Sequence, residues 1–314
     1  MRILIDKYVP YLRGVLEPYA EVRYLEPEEF TPANVWEADA LIVRTRTRVN
    51  ATLLAGSRVQ LVCTATIGFD HIDTAYCEQQ GIRWINSPGC NAAAVSDYVE
   101  EVLRELHPHT GATIGVVGVG HVGSLVAEMA EKKGYRVLTC DPLRADEPEF
   151  QHTPLEQIAR RCDIITFHTP LTRQGENATY HLCDASFLEK CRPEALIINA
   201  ARGGVVDEHA LLASGNPCAI DTWEGEPHIS TDLLQRANLA SQHLAGYSIQ
   251  GKINASNTCL AAVCDQFHLP ALTIDQRQVP APGDSAQGWL RRVSDILKEH
   301  PFDFEVLRES YRLR

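Results

Sequence analysis

Short apolar runs recur along the chain in two series, separated by stretches with helical spacing. In the first series RILID, EVRYL, ALIVR, QLVCTA and IRWIN have the length and composition of strands. YVPYLRGVLEPY and IDTAYCEQQ between them have the pattern of helices. Such alternation predicts a parallel sheet covered by helices on both faces. SPGCN turns the chain, and Asn91 is placed to cap a helix over AAAVSDYVEEVLREL. Val95, Val99 and Val102 give that helix an apolar face, expected to pack between domains.

HPHTG should break this helix, and TIGVV opens the second series. Its further strand candidates are YRVLTC, DIITF, ALIIN, CAID and NLASQ, an order that fits a doubly wound nucleotide-binding domain. AGYSIQGKINASNTCLAAVCDQF then reads as a helix that returns the chain to the first domain. DQRQVPAPGDSAQG has the Pro and Gly content of a linker, and WLRRVSDILKEH and DFEVLRESYRLR read as closing helices. The expected fold is α/β with two doubly wound parallel-sheet domains. Residues 1–90 and 244–314 form one, with the C-terminal tail, and residues 91–243 form the other.

A length of 314 residues suits about two domains, and 45% hydrophobic with 22% charged residues is a globular composition. No apolar run is long enough to span a bilayer, and MRILIDKYVP lacks the form of a secretory signal. A net charge of −12 disfavours nucleic acid and requires local cations for any anionic substrate. The ten cysteines form no CxxC pair, and several sit in strand-like runs. Buried, reduced thiols and a cytoplasmic setting are expected, with no metal site.

The sharpest motif is Gly118-Val119-Gly120-His121-Val122-Gly123, which follows one strand candidate and opens a helix. The next strand ends at Asp141, 18 residues after Gly123. Glycines allow the tight turn, the approach of a pyrophosphate to the backbone, and close packing of helix on strand. The helix start offers unpaired N–H groups to phosphate, and the acid suits the ribose hydroxyls. Asp141 would repel a 2′-phosphate, so NAD is expected over NADP, although Arg144 lies nearby. Three later loops, HTPLT, NAARGG and DTWEGEP, follow strands and carry Thr169, Ala200, Ala201, Arg202, Asp221 and Glu226. At the carboxyl ends of parallel strands these would converge on one crevice. SQHLAGY adds His243.

On these motifs the chain resembles the D-isomer-specific 2-hydroxyacid dehydrogenase family. VRTRTRVN, SPGCNAAAV, TFHTPLT, DTWEGEP and HLAGYSIQGK together resemble a branch that oxidises 4-phospho-D-erythronate in vitamin B6 synthesis. The resemblance covers nearly all of residues 1–260. It implies a flavodoxin-like substrate domain, a Rossmann NAD domain, a homodimer, and a cleft that closes over both ligands. It also implies a catalytic trio of Arg202, Glu226 and His243. Histidine suits a base that takes the hydroxyl proton as hydride leaves. Glu226 would fix its tautomer and stabilise the imidazolium. Arg202 would hold the substrate carboxylate with its guanidinium fork.

Thr45, Thr66 and Tyr247 are expected at the substrate by resemblance. Arg44, Arg46 and Lys252 are candidates for its phosphate, since Arg44, Arg46 and Arg48 alternate and would share one side of an extended chain. Gly68 and Asp70 should shape the loop that presents Thr66, and Gly246 should admit the nicotinamide. Trp36, Trp84 and Trp289 read as packing residues, and Trp223 as ordering its loop. Compared with longer relatives, three stretches look short: 106–113, 203–221 and the region after Lys252. Two alternatives stand: another 2-hydroxyacid dehydrogenase, for phosphoglycerate or hydroxypyruvate/glyoxylate, and a non-catalytic NAD sensor on the same scaffold.

Overall fold

A computed structural model describes residues 1–107, 111–280, 283 and 287–313. In chain order the elements begin β1 (Arg2–Asp6), β2 (Glu21–Leu25), α1 (Pro32–Val35), β3 (Ala40–Val43), α2 (Ala51–Leu54), β4 (Leu61–Thr64), α3 (Thr74–Gln79) and β5 (Arg83–Ile85). Next come α4 (Ala92–Leu106), β6 (Thr113–Val117), α5 (His121–Lys132), β7 (Arg136–Cys140), α6 (Leu155–Arg161), β8 (Ile164–Phe167) and α7 (Ala185–Leu188). The last are β9 (Leu196–Asn199), α8 (Glu208–Ser214), β10 (Cys218–Ile220), α9 (Thr231–Arg236), β11 (Leu239–Ala240), α10 (Ile249–Gln266), α11 (Trp289–Glu299) and α12 (Phe304–Ser310). The HPHTG break and the 275–288 linker fall partly outside the described residues.

Two units follow. The first is Met1–Asn91 with Ser248–Pro282; the second is Ala92–Tyr247 with Gly283–Arg314. The first holds a parallel sheet of order β2-β1-β3-β4-β5, the flavodoxin-type order. β1, β3 and β4 are almost wholly apolar because both faces are covered, and α10 lays Cys259, Leu260 and Val263 onto the same core. The second unit holds a parallel sheet of order β11-β10-β9-β8-β6-β7. Beyond β7 the expected third strand of a dinucleotide fold shrinks to a single parallel bridge, Thr139 to His152. In each sheet the chain leaves a central strand to one side and returns on the other: at β1/β3 and at β6/β8. In open parallel sheets such a switch, beyond the carboxyl ends of the strands, is where ligands bind.

Three expectations need correction. Residues 8–19 form successive turns, not a helix: Pro10 and Pro18 lack donors, and Tyr11 and Gly14 take positive φ of 66° and 78°. Trp36 is 57% exposed, although its ring covers Gly56; Trp84 packs on Phe69 with centroids 5.0 Å apart. Segment 203–221 holds α8: Asp207 caps it by accepting from the Ala210 N–H at 3.0 Å, and Gly215 ends it at φ 80°. The tail after residue 282 belongs to the second unit, not the first. Trp289 and Leu290 are buried there with Val95, Val99 and Val102 of α4, and Ser294 Oγ accepts from the Ala240 N–H of β11 at 3.0 Å. Buried Glu101 of α4 accepts from the Gly288 N–H at the start of α11, at 3.1 Å.

If the tail is part of this core, Trp289→Ala should destabilise the second unit by about 3–5 kcal/mol. Urea unfolding followed by hydrogen exchange in β6 and β11 would show it. A change confined to the tail's own amides would contradict the placement.

Candidate active site

The glycine loop between β6 and α5 is shaped by contacts that admit no side chain. A Cβ on Gly123 would lie 1.9 Å from the Gly118 carbonyl oxygen, and Gly118 sits at φ 85° against His168 and Thr169. A Cβ on Gly120 would meet nothing within 4 Å, so the loop is open on the side that α5 faces with its first turn. No side chain caps α5 at Gly120. His121 is exposed and Val122 half-buried just beyond.

Asp141 closes the far side. Its Oδ2 accepts from the Val119 N–H at 2.9 Å and its Oδ1 from the Leu143 N–H at 3.2 Å. Each oxygen keeps a further lone pair for a hydroxyl. Arg144 is occupied: it donates to the Val119 carbonyl at 2.8 Å, pairs with Glu147 at 2.7 Å, and lies over Phe150. Across the β6/β8 switch, Thr169 Oγ1 is buried with no hydrogen-bond partner. An open glycine turn, uncapped helix N–H groups, a tethered acid and an orphaned hydroxyl fit a dinucleotide.

The loops after β9, β10 and β11 are bound into one structure. Asn199, at the end of β9, donates to the carbonyls of Arg202 (3.1 Å) and Thr222 (3.2 Å), and its Oδ1 accepts from the Ala201 N–H at 3.2 Å. A Cβ on Gly203 would lie 1.9 Å from the Trp223 carbonyl oxygen, so only glycine permits this seat. Ala200 and Ala201 are buried, and Arg202 projects to solvent.

Asp221 is 1% exposed. Its carboxylate accepts from Ser241 Oγ (2.7 Å), the Leu244 N–H (2.6 Å) and the Ala245 N–H (3.0 Å). Burial pushes its pKa up, against the opposing effect of the His243 charge and these hydrogen bonds. Trp223, 2% exposed, adds an indole N–H bond to the Ser241 carbonyl at 2.8 Å. The loop so held presents His243 at φ 59°, a left-handed conformation that is uncommon for any residue but glycine.

His243 Nδ1 lies 2.8 Å from Glu226 Oε2, and Glu226 Oε1 accepts from the Trp223 N–H at 2.8 Å. Burial lowers the imidazole pKa and the Arg202 charge opposes protonation. The Glu226 hydrogen bond and charge, with the Asp221 charge, outweigh both, and the net shift is upward from 6.5. With Nδ1 committed to the carboxylate, Nε2 is left to exchange a proton with a ligand. Thus Arg202, Glu226 and His243 are parts of one bonded group of loops. Tyr247 follows as a turn closed by its N–H on the Leu244 carbonyl at 2.8 Å, with half-buried Gly246 before it.

The first unit carries the other sequence candidates. Arg44, Arg46 and Arg48 do not alternate on an extended chain: a turn closes with the Thr47 N–H on the Arg44 carbonyl at 3.1 Å. Arg44 and Arg46 still act on one point, since both charges lower the Asp6 pKa that burial raises. Thr45 is exposed on that turn. Thr66 Oγ1 is 2.7 Å from Thr64 Oγ1 and donates to the Gly68 carbonyl at 2.9 Å, so Thr66 and Gly68 hold one loop. Lys252 lies in the first turn of α10, whose Ser248 cap accepts from the Gly251 N–H at 3.0 Å. Asp6 ends β1, and the arginine turn and Thr66 follow β3 and β4, at the same edge of the sheet.

Three groups escape a reading of motifs. His168, after β8, is held neutral by burial, with its pKa pushed down to about 3. Glu208, at the start of α8, has its carboxyl pushed up to about 7 by burial, with the neighbouring Glu224, Glu226 and Asp207 charges adding to the effect. His181 pairs with Glu224. His181 and Glu208 belong to no spaced motif, and His168 lies inside HTPLT without being marked by it; each depends on what the fold brings against it.

Two outcomes test this geometry. Glu226→Gln removes what raises His243, so the rise of alcohol-oxidation kcat/KM with pH should move to lower pH, with a plateau reduced about tenfold to a hundredfold. Between pH 4.5 and 7 folded Glu208 keeps a proton that the unfolded chain has lost, so stability should fall as pH rises through that window. Glu208→Gln should abolish up to about 3 kcal/mol of that fall in urea titrations at pH 5 and 8.

Comparison with known proteins places the chain in a family. A model of the D-isomer specific 2-hydroxyacid dehydrogenase NAD binding domain matches residues 91–245. The chain is 44% identical to an erythronate-4-phosphate dehydrogenase of Bacteroides fragilis, over 100% of this chain and 97% of the relative. It is 40% identical to one of Escherichia coli, over 99% of this chain and 91% of the relative. Solved structures share the fold at lower identity. D-mandelate dehydrogenase of Rhodotorula graminis is 20% identical with a TM-score of 0.72, over 91% of this chain and 99% of that one. NAD-bound 3-phosphoglycerate dehydrogenase of Entamoeba histolytica is 23% identical with a TM-score of 0.70, over 85% and 95%. The chain belongs to the D-isomer specific 2-hydroxyacid dehydrogenases, NAD-dependent oxidoreductases, and within them to the erythronate-4-phosphate dehydrogenase family.

Proposed function

We propose that this enzyme oxidises 4-phospho-D-erythronate at its 2-hydroxyl to the 2-oxo acid phosphate, a step of pyridoxal phosphate synthesis. The observation that carries the reading is the 2.8 Å contact between His243 Nδ1 and Glu226, on loops bonded to the Arg202 loop. The names of full-length relatives supply the substrate.

Residues Gly118, Gly120, His121, Val122 and Gly123 would receive the pyrophosphate of NAD, and Asp141 the adenosine ribose. Thr169, Ala200, Ala201 and Gly246 would line the rest of its path. Asp221 acts on the cofactor side through the 241–245 loop. Bound NAD supplies the hydride acceptor. His243 Nε2 takes the hydroxyl proton, and Glu226 holds the resulting imidazolium. Arg202 grips the carboxylate and polarises the forming carbonyl. In the first unit, which we assign to the substrate, Arg44, Arg46 and Lys252 are the candidates for the phosphate. Thr45, Thr66 and, from the second unit, Tyr247 are candidates for the hydroxyls and carboxylate. All ten cysteines are unpaired, which suits the cytoplasm. A homodimer is proposed from resemblance alone.

Purified enzyme with NADH should reduce the phosphorylated four-carbon 2-oxo acid far faster than its unphosphorylated analogue or hydroxypyruvate. His243→Ala should lower kcat at least a hundredfold with little change in NADH affinity. Equal turnover of all three acids would overturn the substrate assignment and leave the family standing.

A further inference from the structure

Beside the trio, on the side of Glu226, lies a second histidine–carboxylate group. His181 Nε2 is 2.9 Å from Glu224 Oε1, and its Nδ1 is 3.5 Å from Asp207. His181 takes positive φ, 52°, which for a non-glycine residue needs surrounding support. It has that support. Its ring stacks on Tyr180 with centroids 3.9 Å apart, Arg173 lies over Tyr180, and its N–H donates to the Gly204 carbonyl at 2.7 Å.

Glu224 is the point on which these bonds converge. Its backbone N–H donates to buried Glu208 Oε1 at 2.6 Å, while its side chain accepts from His181. Its neighbour Trp223 holds Glu226 through the N–H, and Gly203 and Gly204 of the arginine loop pack directly against residues 223 and 224. Glu224 is two residues from Glu226. The chain between them is a tight turn, with Gly225 at φ 73°. A turn fixed on both the main-chain and side-chain sides of Glu224 leaves the Glu226 carboxylate little freedom.

We propose that His181 and Glu224 are positioning residues: their contact clamps the 223–226 turn so that Glu226 meets His243 Nδ1, and seats the arginine loop beside it. This rests on the reading of Glu226 and His243 as the acid–base pair. The charged groups facing the pair are Asp207 and Glu208 from the start of α8, Arg173 through Tyr180, and Glu226 on the turn itself.

The test uses the full chain with NADH and the 2-oxo acid phosphate. His181→Ala should lower kcat about tenfold, with NADH affinity by fluorescence unchanged. The pH dependence of oxidation should also move to lower pH, because a looser Glu226 raises His243 less. His181→Gln keeps a side-chain N–H donor and should recover most of the rate. Glu224→Ala should match His181→Ala, and the double variant should lose no more than either single one, since both remove one contact. Unchanged kcat and pH profile in soluble His181→Ala would overturn the proposal. So would parallel loss of rate, NADH binding and thermal stability without rescue by glutamine. If His181→Ala does not fold, the glutamine variant and Glu224→Ala decide on the same pH readout. Wild-type inactivity on every 2-oxo acid would instead remove the acid–base reading itself.

Discussion

A buried carboxylate, that of Asp221, is the constraint on which the loops of the second unit's candidate site depend. Asp221 sits at the end of β10 and satisfies its lone pairs with one hydroxyl and two backbone N–H groups of the 241–245 loop. Removing the carboxylate would leave those donors buried and unpaired, at about 1–3 kcal/mol each. The loop therefore has one low-energy course, and that course takes His243 through a left-handed φ. Strain at the histidine is offset by bonds made one strand away. The imidazole then meets Glu226, and the shift in its pKa follows from geometry already fixed.

The parallel sheets explain why these loops meet at all. β9, β10 and β11 are neighbours, so the loops leaving their carboxyl ends are neighbours too. Arg202, Asp221 with Glu226, and His243 each follow one of them. The glycine loop follows β6, and Thr169 follows β8 at the switch in strand order. In the first sheet the same rule gathers Asp6, at the end of β1, with the arginine turn and Thr66 after β3 and β4. Sequence distance, as between Arg202 and His243, is thus no measure of spatial distance.

Much of this was legible in the sequence because parallel strands buried on both faces read as uniform apolar runs. Among the described residues all eleven strands fall within runs such as TIGVV and DIITF, and α4 falls on AAAVSDYVEEVLREL. The glycine loop and the meeting of His243 with Glu226 were legible because the motifs put particular residue types at particular loop positions. What was not legible depended on contact. YVPYLRGVLEPY has helical spacing, but its prolines and positive-φ residues make turns. The tail carries no mark of the unit it joins; Trp289 and Ser294 find their places only once α4 and β11 exist. His181 and Glu208 were the hardest to read, since a histidine or acid becomes significant through what the fold lays beside it.

The claim that Glu226 holds His243 as a base of raised affinity for protons is open to one direct measurement. The protein would be labelled with 15N at histidine ring nitrogens and titrated by NMR, with His243→Gln to assign the resonance. The account predicts a His243 midpoint above 6.5, with the Nδ1 proton retained and shifted downfield throughout by its bond to the carboxylate. A midpoint at or below 6.5, or a neutral form protonated on Nε2, would contradict it.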